Sequence, residues 1–478
     1  MERRQFLAGM GLGGATLGVA GCGINSPINN TMDHSASLGS TAANQLHEQI
    51  QAMPFDDSHC HALSDADAQT TPQRFLARMS LAAFPAMWGG YFPMEVFKQW
   101  WDGDALTRAK LDKEHNIQAT LDEITGHFRE SIFVKYMVKE MAHYLDCAPR
   151  LETVIEARNA LGKDYWRYVR GLLTDVKAAN LMIDTGYSEG MGQAELDRFD
   201  QEIAPAQSRR ILRADNVFYS VLNKDLSFDE LEKQFVAAMT RGLDGDGNYG
   251  QSSWGMKSYL MPQIGVLKPL YDRNIARADW ETFKVSMSEP VTDREERAMR
   301  GKDIQRYMHT LAMEACLERD MPMQFHAGDG EAPGVILRKQ DPYNLEEMVR
   351  LDKDGFMRRP KVIPLHAGYP LVGRAAWLSH LYTNCYFDLS IMTPFVHQSL
   401  ATRYQEVMEV VPLSKILFAS DAYHLPELYW LSGRWGKRYL AQALADYVRG
   451  GSLDEEEALE AARMILYKNN RAVYNLPA

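Results

Sequence analysis

The stretch "FDDSHCHALSDAD", residues 55 to 67, places two histidines one residue apart, His59 and His61, directly after a short apolar segment and an acidic pair. In a β-strand, residues i and i+2 point to the same face, so both imidazoles can reach one point beyond the strand's end. Two imidazoles converging on a point are metal-binding chemistry. Three further residues of the same chemical kind follow much later, His326 in "QFHAGDG", His366 in "LHAGYP" and Asp421 in "LFASDAYHLPE". Imidazole and carboxylate suit zinc and similar divalent ions, and a catalytic site leaves one coordination position for water.

Such residues need a scaffold that gathers them. Eight short apolar segments ending in polar residues are candidate strands: 53 to 59, 180 to 186, 209 to 215, 253 to 260, 321 to 328, 361 to 368, 384 to 390 and 414 to 422. Helical periodicity lies between the later ones, in "DIQRYMHTLAMEACLERD", "NLEEMVRL", "VGRAAWLSHLY" and "QSLATRYQEVMEVV". Alternating strands and helices predict parallel βα units, and eight of them predict a closed (β/α)₈ TIM-like barrel. His59 and His61 fall at the end of the first strand, Lys257 near the end of the fourth, His326 at the fifth, His366 at the sixth and Asp421 at the eighth. Barrel enzymes build their active sites on that C-terminal face.

About 120 residues separate the first two strands, where a crossover needs about a dozen, so 65 to 175 is expected to be a helical insertion. It contains amphipathic stretches such as "SIFVKYMVKEMAHYL" and "DYWRYVRGLL". After the eighth strand, Ser452 and Glu455 stand in capping-box spacing and predict the start of a closing helix.

At 478 residues, with 46% hydrophobic and 24% charged residues, the chain has the make-up of a globular protein. Its formal net charge of −11 argues against nucleic acid, whose backbone needs a basic surface. The five cysteines show no CxxC or close spacing and no disulfide framework. Cys60, between two histidines of one face, is expected to point the other way as a small apolar residue. The 25 methionines form no regular cluster and read as core filler. The "LDGDGNYGQ" loop lacks the glutamate of a calcium loop and reads as a turn.

The motifs "DSHCH", "QFHAGDG", "LHAGYP" and "LFASDAYHLPE" resemble the metal motifs of the amidohydrolase superfamily, in particular the amidohydrolase-2 branch of hydrolases and non-oxidative decarboxylases. From "LHAGYP" to "ILYKNNRAVYNL" the chain is similar to the amidohydrolase half of nodulin/glutamine-synthetase-like fusion proteins; the synthetase half is not in this sequence. The resemblance covers most of 50 to 478, strong after about 320 and weak between 65 and 175. It implies His59, His61, His326 and Asp421 as ligands of one zinc or similar ion, with two ions as the alternative. Asp421 is then also the base that takes a proton from the metal-activated water. His366 polarises the substrate carbonyl, a second metal being its other role. Lys257 binds an anionic substrate group, although binuclear members carboxylate the equivalent lysine to bridge two metals. Asp388, at the end of the seventh strand, orients a neighbouring group.

The expected reaction is attack of metal-bound hydroxide on an amide, lactone or related carbonyl of a small molecule. Metal-dependent decarboxylation is the alternative within the fold, and a catalytically inactive periplasmic binding protein the alternative outside catalysis; an intact set of ligating residues weighs against the latter.

The N-terminus, "MERRQFLAGMGLGGATLGVAGCG", has Arg3 and Arg4 before a glycine-rich, weakly apolar run too short to span a membrane. It resembles a twin-arginine signal joined to a lipobox. That implies export to the periplasm and a lipid on Cys22, the only expected membrane contact. Residues 23 to 45 are expected to be a flexible tether, with the barrel occupying 46 to 478. Barrels of this branch often form homodimers.

Overall fold

The computed structural model describes residues 41–79, 92, 94–187, 191–246, 251–289, 294–328, 336–350 and 359–477. The export pattern at 1–22 and the tether as far as 40 lie outside these residues. The described chain is one compact unit from Ser40 onward. Its first helix, Thr41–Gln51, occupies the last residues of the span assigned to the tether. No helix among the described residues is long and apolar enough to cross a membrane.

Eight parallel strands follow in chain order: β1 Phe55–Cys60, β2 Ala178–Asp184, β3 Gln207–Arg213, β4 Ser253–Ser258, β5 Met323–Phe325, β6 Val362–Pro364, β7 Phe387–Asp388 and β8 Ile416–Leu417. Strands β1 to β6 pair each with the next, and β7 pairs with β8. The two sheets join at the Val362–Cys385 bridge, where Tyr386 N donates to Val362 O at 2.9 Å. The circle closes between β8 and β1, with Ser58 N donating to Phe418 O at 2.9 Å and Asp421 N to His59 O at 2.8 Å. A closed ring leaves no exposed sheet edge. All eight expected strands are present in their expected order, and the α/β barrel stands.

The barrel interior is filled by Met182, Ile211, Ile363, Leu365 and Leu417, with Val473, Tyr474 and Leu476 from the C-terminus. Helices cover the outside; Lys302–Glu318 buries Ile304, Met308, Ala312 and Cys316 against the sheet at i, i+4 spacing. Buried Met182, Met239, Met256, Met308 and Met323 act as core filler, as expected. Cys60 is fully buried, and Cys60, Cys147, Cys316 and Cys385 are free thiols.

The segment between β1 and β2 is helical. Ser131 caps Ile132–Tyr144, and Asp164 caps Tyr165–Asp175. The segment has a small core of its own, including Phe97, Trp100, Trp101, Leu111 and Ile117. It is fastened to the barrel by a fully buried ion pair: Arg158 Nε lies 2.7 Å from Glu427 Oε1, which also accepts from Tyr168 Oη at 2.9 Å.

Two local expectations are corrected. The capping box of the closing helix is Asp454 with Glu457, two residues beyond Ser452 and Glu455, because Gly451 in the left-handed region still belongs to the turn. The "NLEEMVRL" helix is one turn, Glu346–Val349, since Pro342 starts a tight 3₁₀ turn just before it.

Candidate metal centre

The strands place their last residues around one point at the C-terminal mouth. His59 and His61 leave β1 on the same face, although β1 is buried along its whole length. His59 Nε2 lies 3.1 Å and His61 Nε2 3.2 Å from Asp421 Oδ1. The other oxygen of Asp421 faces His366 Nδ1 at 3.5 Å. His366 Nε2 in turn lies 3.0 Å from His326 Nδ1, and His326 Nε2 meets Gln340 Oε1 at 2.9 Å. All five residues read from the sequence are therefore gathered in one cluster.

Within it, two triads have ligand atoms all within 4.8 Å of one another: His59, His61 and Asp184, and His59, His366 and Asp421. His326 stands one contact further out, against His366 and the ring of Tyr259. The donors fit a divalent cation. Burial, reinforced by the charge of Lys257, draws His59 down to about 4, so the ring is neutral at ordinary pH. Burial likewise holds His326 and His366 well below the usual histidine value. For Asp421 burial opposes ionisation, but His366 and His59 outweigh it and keep the carboxyl well below its usual range. Neutral imidazoles beside a carboxylate are the ligand forms a metal requires. His59 Nδ1 is buried without a hydrogen-bond partner, so this ring's polar contacts run through Nε2.

The backbone bends sharply to aim these groups. His366 has φ of 64° and Asp421 of 57°, both left-handed and both non-glycine. Such conformations cost of order 1–3 kcal/mol each and persist only where the surroundings enforce them. At His366 the enforcement is visible: its N–H donates to Asp388 Oδ1 at 2.9 Å, and its Nδ1 lies 3.1 Å from Ser390 Oγ. Asp388 also accepts from Ser58 Oγ at 2.8 Å and from Ser390 N at 3.0 Å, which makes it the orienting group expected. The turn continues into Gly368, φ 58°, where a Cβ would lie 2.5 Å from Pro342 Cγ.

Lys257 comes from β4 into the same cluster. Its Nζ lies 3.0 Å from His59 Nε2 and 3.1 Å from Asp184 Oδ2. Burial lowers this lysine, with Asp184 opposing. Asp184 and Arg213, at the ends of β2 and β3, were not singled out from the sequence. Asp184 Oδ1 accepts from Arg213 Nε at 3.2 Å, and Oδ2 pairs with Arg213 Nη2. Burial opposes the charge on Asp184, yet Arg213 and Lys257 together hold its carboxyl well below the usual range. Both residues end candidate strands, as the histidines do, and that position was the available signal.

A cleft of about 600 Å³ opens at the opposite end of the strands, lined by Pro54, Lys177, Asn180, Arg209 and Arg471 among others. None of the clustered strand-end residues lines it.

Residues 292–476 match a family model described as amidohydrolase. Protein fluG of Emericella nidulans is 26% identical over 345 residues, which are 68% of this chain and 38% of fluG. The chain thus spans well under half the length of that curated relative. A protein from Lactobacillus casei ATCC 334 described as a metal-dependent hydrolase superposes with a TM-score of 0.66 at 21% identity, over 90% of this chain and 97% of the other. The uronate isomerase of Thermotoga maritima superposes with a TM-score of 0.58 at 13% identity, over 93% and 99%. At such identities these two structures speak for the fold. The family match covers the C-terminal part of the chain, and the two structures share its fold.

Proposed function

We propose that the protein is a metal-dependent hydrolase acting on an amide, lactone or related carbonyl of a small molecule. The observation that carries this reading is the convergence of His59 Nε2 and His61 Nε2 on Asp421 Oδ1, 3.1 and 3.2 Å away, at the mouth of the barrel. His59, His61 and Asp421 would hold the ion, with His326 as third imidazole, and zinc suits the donor set. Such an ion supplies Lewis acidity that makes water a competent nucleophile near neutral pH.

The protein's own residues then divide the work. Asp421 is ionised and takes the proton from the attacking water on a carboxylate oxygen, later passing it to the leaving group. His366, fixed by Asp388 and Ser390, faces the oxygen of the substrate carbonyl and stabilises the charge that develops there. Lys257 holds positive charge beside His59 and helps keep that imidazole unprotonated. It would also attract an anionic group of the substrate.

The test is turnover by the zinc-loaded chain of a panel of amides and lactones. Hydrolysis by the wild type, lost in Asp421→Asn with the fold intact, supports the reading. An Asp421→Asn chain that hydrolyses as fast as the wild type overturns it.

The N-terminal pattern supports export as a lipoprotein held to the membrane through Cys22. Cys22→Ala should then release the protein from the membrane fraction.

A further inference from the structure

His326 is held differently from the other clustered imidazoles. His59, His61 and His366 each face Asp421, whereas His326 lies outside both compact triads and meets the cluster through His366. Both of its ring nitrogens have a partner. Nδ1 faces His366 Nε2 at 3.0 Å, and Nε2, on the far side of the ring, meets Gln340 Oε1 at 2.9 Å. The Tyr259 ring crosses the imidazole at 64°, with the centroids 4.6 Å apart.

Gln340 ends the tight turn Leu337–Gln340. Its backbone is tied back to the end of β5, where Gly328 N donates to Gln340 O at 2.7 Å. The residue is only 2% exposed, and among the described residues its side chain has one hydrogen bond, the one to His326. Burying a carboxamide costs stability unless it is bonded, and an apolar residue of the same length would avoid that cost. A glutamine at this position is therefore tied to the imidazole.

A neutral imidazole offers a lone pair on one nitrogen when the proton sits on the other, and the partner of the protonated nitrogen decides which is which. A carboxamide oxygen only accepts, so opposite Gln340 Oε1 the proton belongs on His326 Nε2. Nδ1 is then the nitrogen whose lone pair faces the cluster. Gln340 does this as a neutral acceptor, adding no third carboxylate to a centre that already holds ionised Asp184 and Asp421.

We infer that Gln340 is a positioning residue of this centre: its carboxamide oxygen holds the proton of His326 on Nε2 and so fixes Nδ1 as the nitrogen that His326 offers to an ion. This rests on the reading of the cluster as a metal centre, while the tautomer itself is a property of the chain alone.

The experiment has two readouts on the full chain. Isotope-labelled histidine NMR of the chelator-treated protein at neutral pH reads the tautomer, with His326 assigned by the signals missing from His326→Ala. Competition with a chromophoric chelator reads zinc affinity. In the wild type His326 should be in the Nε2–H form. Gln340→Met should lose that bias and bind zinc about 10- to 100-fold more weakly. Gln340→Glu keeps an acceptor oxygen at the same reach, so it should retain the tautomer and bind zinc at least as tightly as the wild type. A space-filling role predicts the opposite order, because methionine fills the same room and a carboxylate is the costlier group to bury. An Nδ1–H form in the wild type, an Nε2–H form kept in Gln340→Met, or unchanged zinc affinity in Gln340→Met overturns the inference. Should Gln340→Met fail to fold, the wild-type tautomer and Gln340→Glu decide, and a loss of about tenfold or more in zinc affinity there is equally contrary. Zinc uptake separates the two readings: a wild type that takes up no zinc defeats the metal centre, while the tautomer and its loss in Gln340→Met still decide what Gln340 does to His326.

Discussion

Lys257 Nζ sits 3.0 Å from His59 Nε2, so an ammonium group and an imidazole of the candidate metal site share one buried corner of the barrel. The contact has two consequences. The cation disfavours protonation of the ring, which keeps the ring available to a metal, and it occupies space that a second ion would need. With Lys257 paired to Asp184 at 3.1 Å, the proposed hydrolase centre would hold a single ion.

Replacing Lys257 with Met should therefore remove positive charge from beside His59 while leaving metal content at one ion per chain. Loss of one partner of a buried ion pair costs roughly 3–5 kcal/mol, softened here because Arg213 still pairs Asp184. Denaturant unfolding should show a loss in the lower part of that range, and metal analysis no gain of a second ion.

Asp421→Asn removes the proton acceptor and weakens one metal ligand, with little change in size. Turnover should fall by about a thousandfold or more, the scale of general acid–base catalysis compounded with weakened metal binding. Far-ultraviolet circular dichroism should match the wild type.

Acid should destabilise the metal-free chain through His59. Its folded value is about 4, below the ordinary 6.5 of an unfolded histidine. Between those values the unfolded chain binds the proton and the folded chain does not, so protonation pulls toward unfolding. This contribution is fully present above about pH 6.5 and is lost as the pH falls toward 4, amounting to roughly 3 kcal/mol. Melting temperatures of chelator-treated protein across this window should fall with acidification, and less steeply in His59→Gln.

The helical insertion depends on the buried Arg158–Glu427 pair, both side chains being fully enclosed. Glu427→Gln leaves the guanidinium without its counter-charge and should cost about 3 kcal/mol or more. Urea unfolding measures the loss; an unchanged midpoint would show that the pair does not hold the insertion to the barrel.

How far the sequence reached follows from which signals are local. The strand ends were legible because each carries a run of apolar residues followed by polar ones, and the five clustered residues fall at those ends. Even β7 and β8, only two residues long, were recognisable from the apolar stretches around them. Asp184 and Arg213 were missed because their meaning lies in pairing across neighbouring strands, 29 positions apart in the chain. Lys257 was found, but its partner was not. Cap positions shifted by two residues where Gly451 extended the turn before Asp454. The insertion was recognised as helical from its periodicity, while its attachment through Arg158 and Glu427 spans 269 positions and leaves no local trace.

The proposed hydrolase centre would bind one ion through His59, His61, His326 and Asp421. Elemental analysis of metal per chain, on wild type, His59→Ala, His326→Ala and His366→Ala after zinc loading, tests it most directly. One ion in the wild type and in His366→Ala, lost in the other two variants, is the predicted result. No ion in the wild type after loading, or one retained in full by His59→Ala, would contradict it.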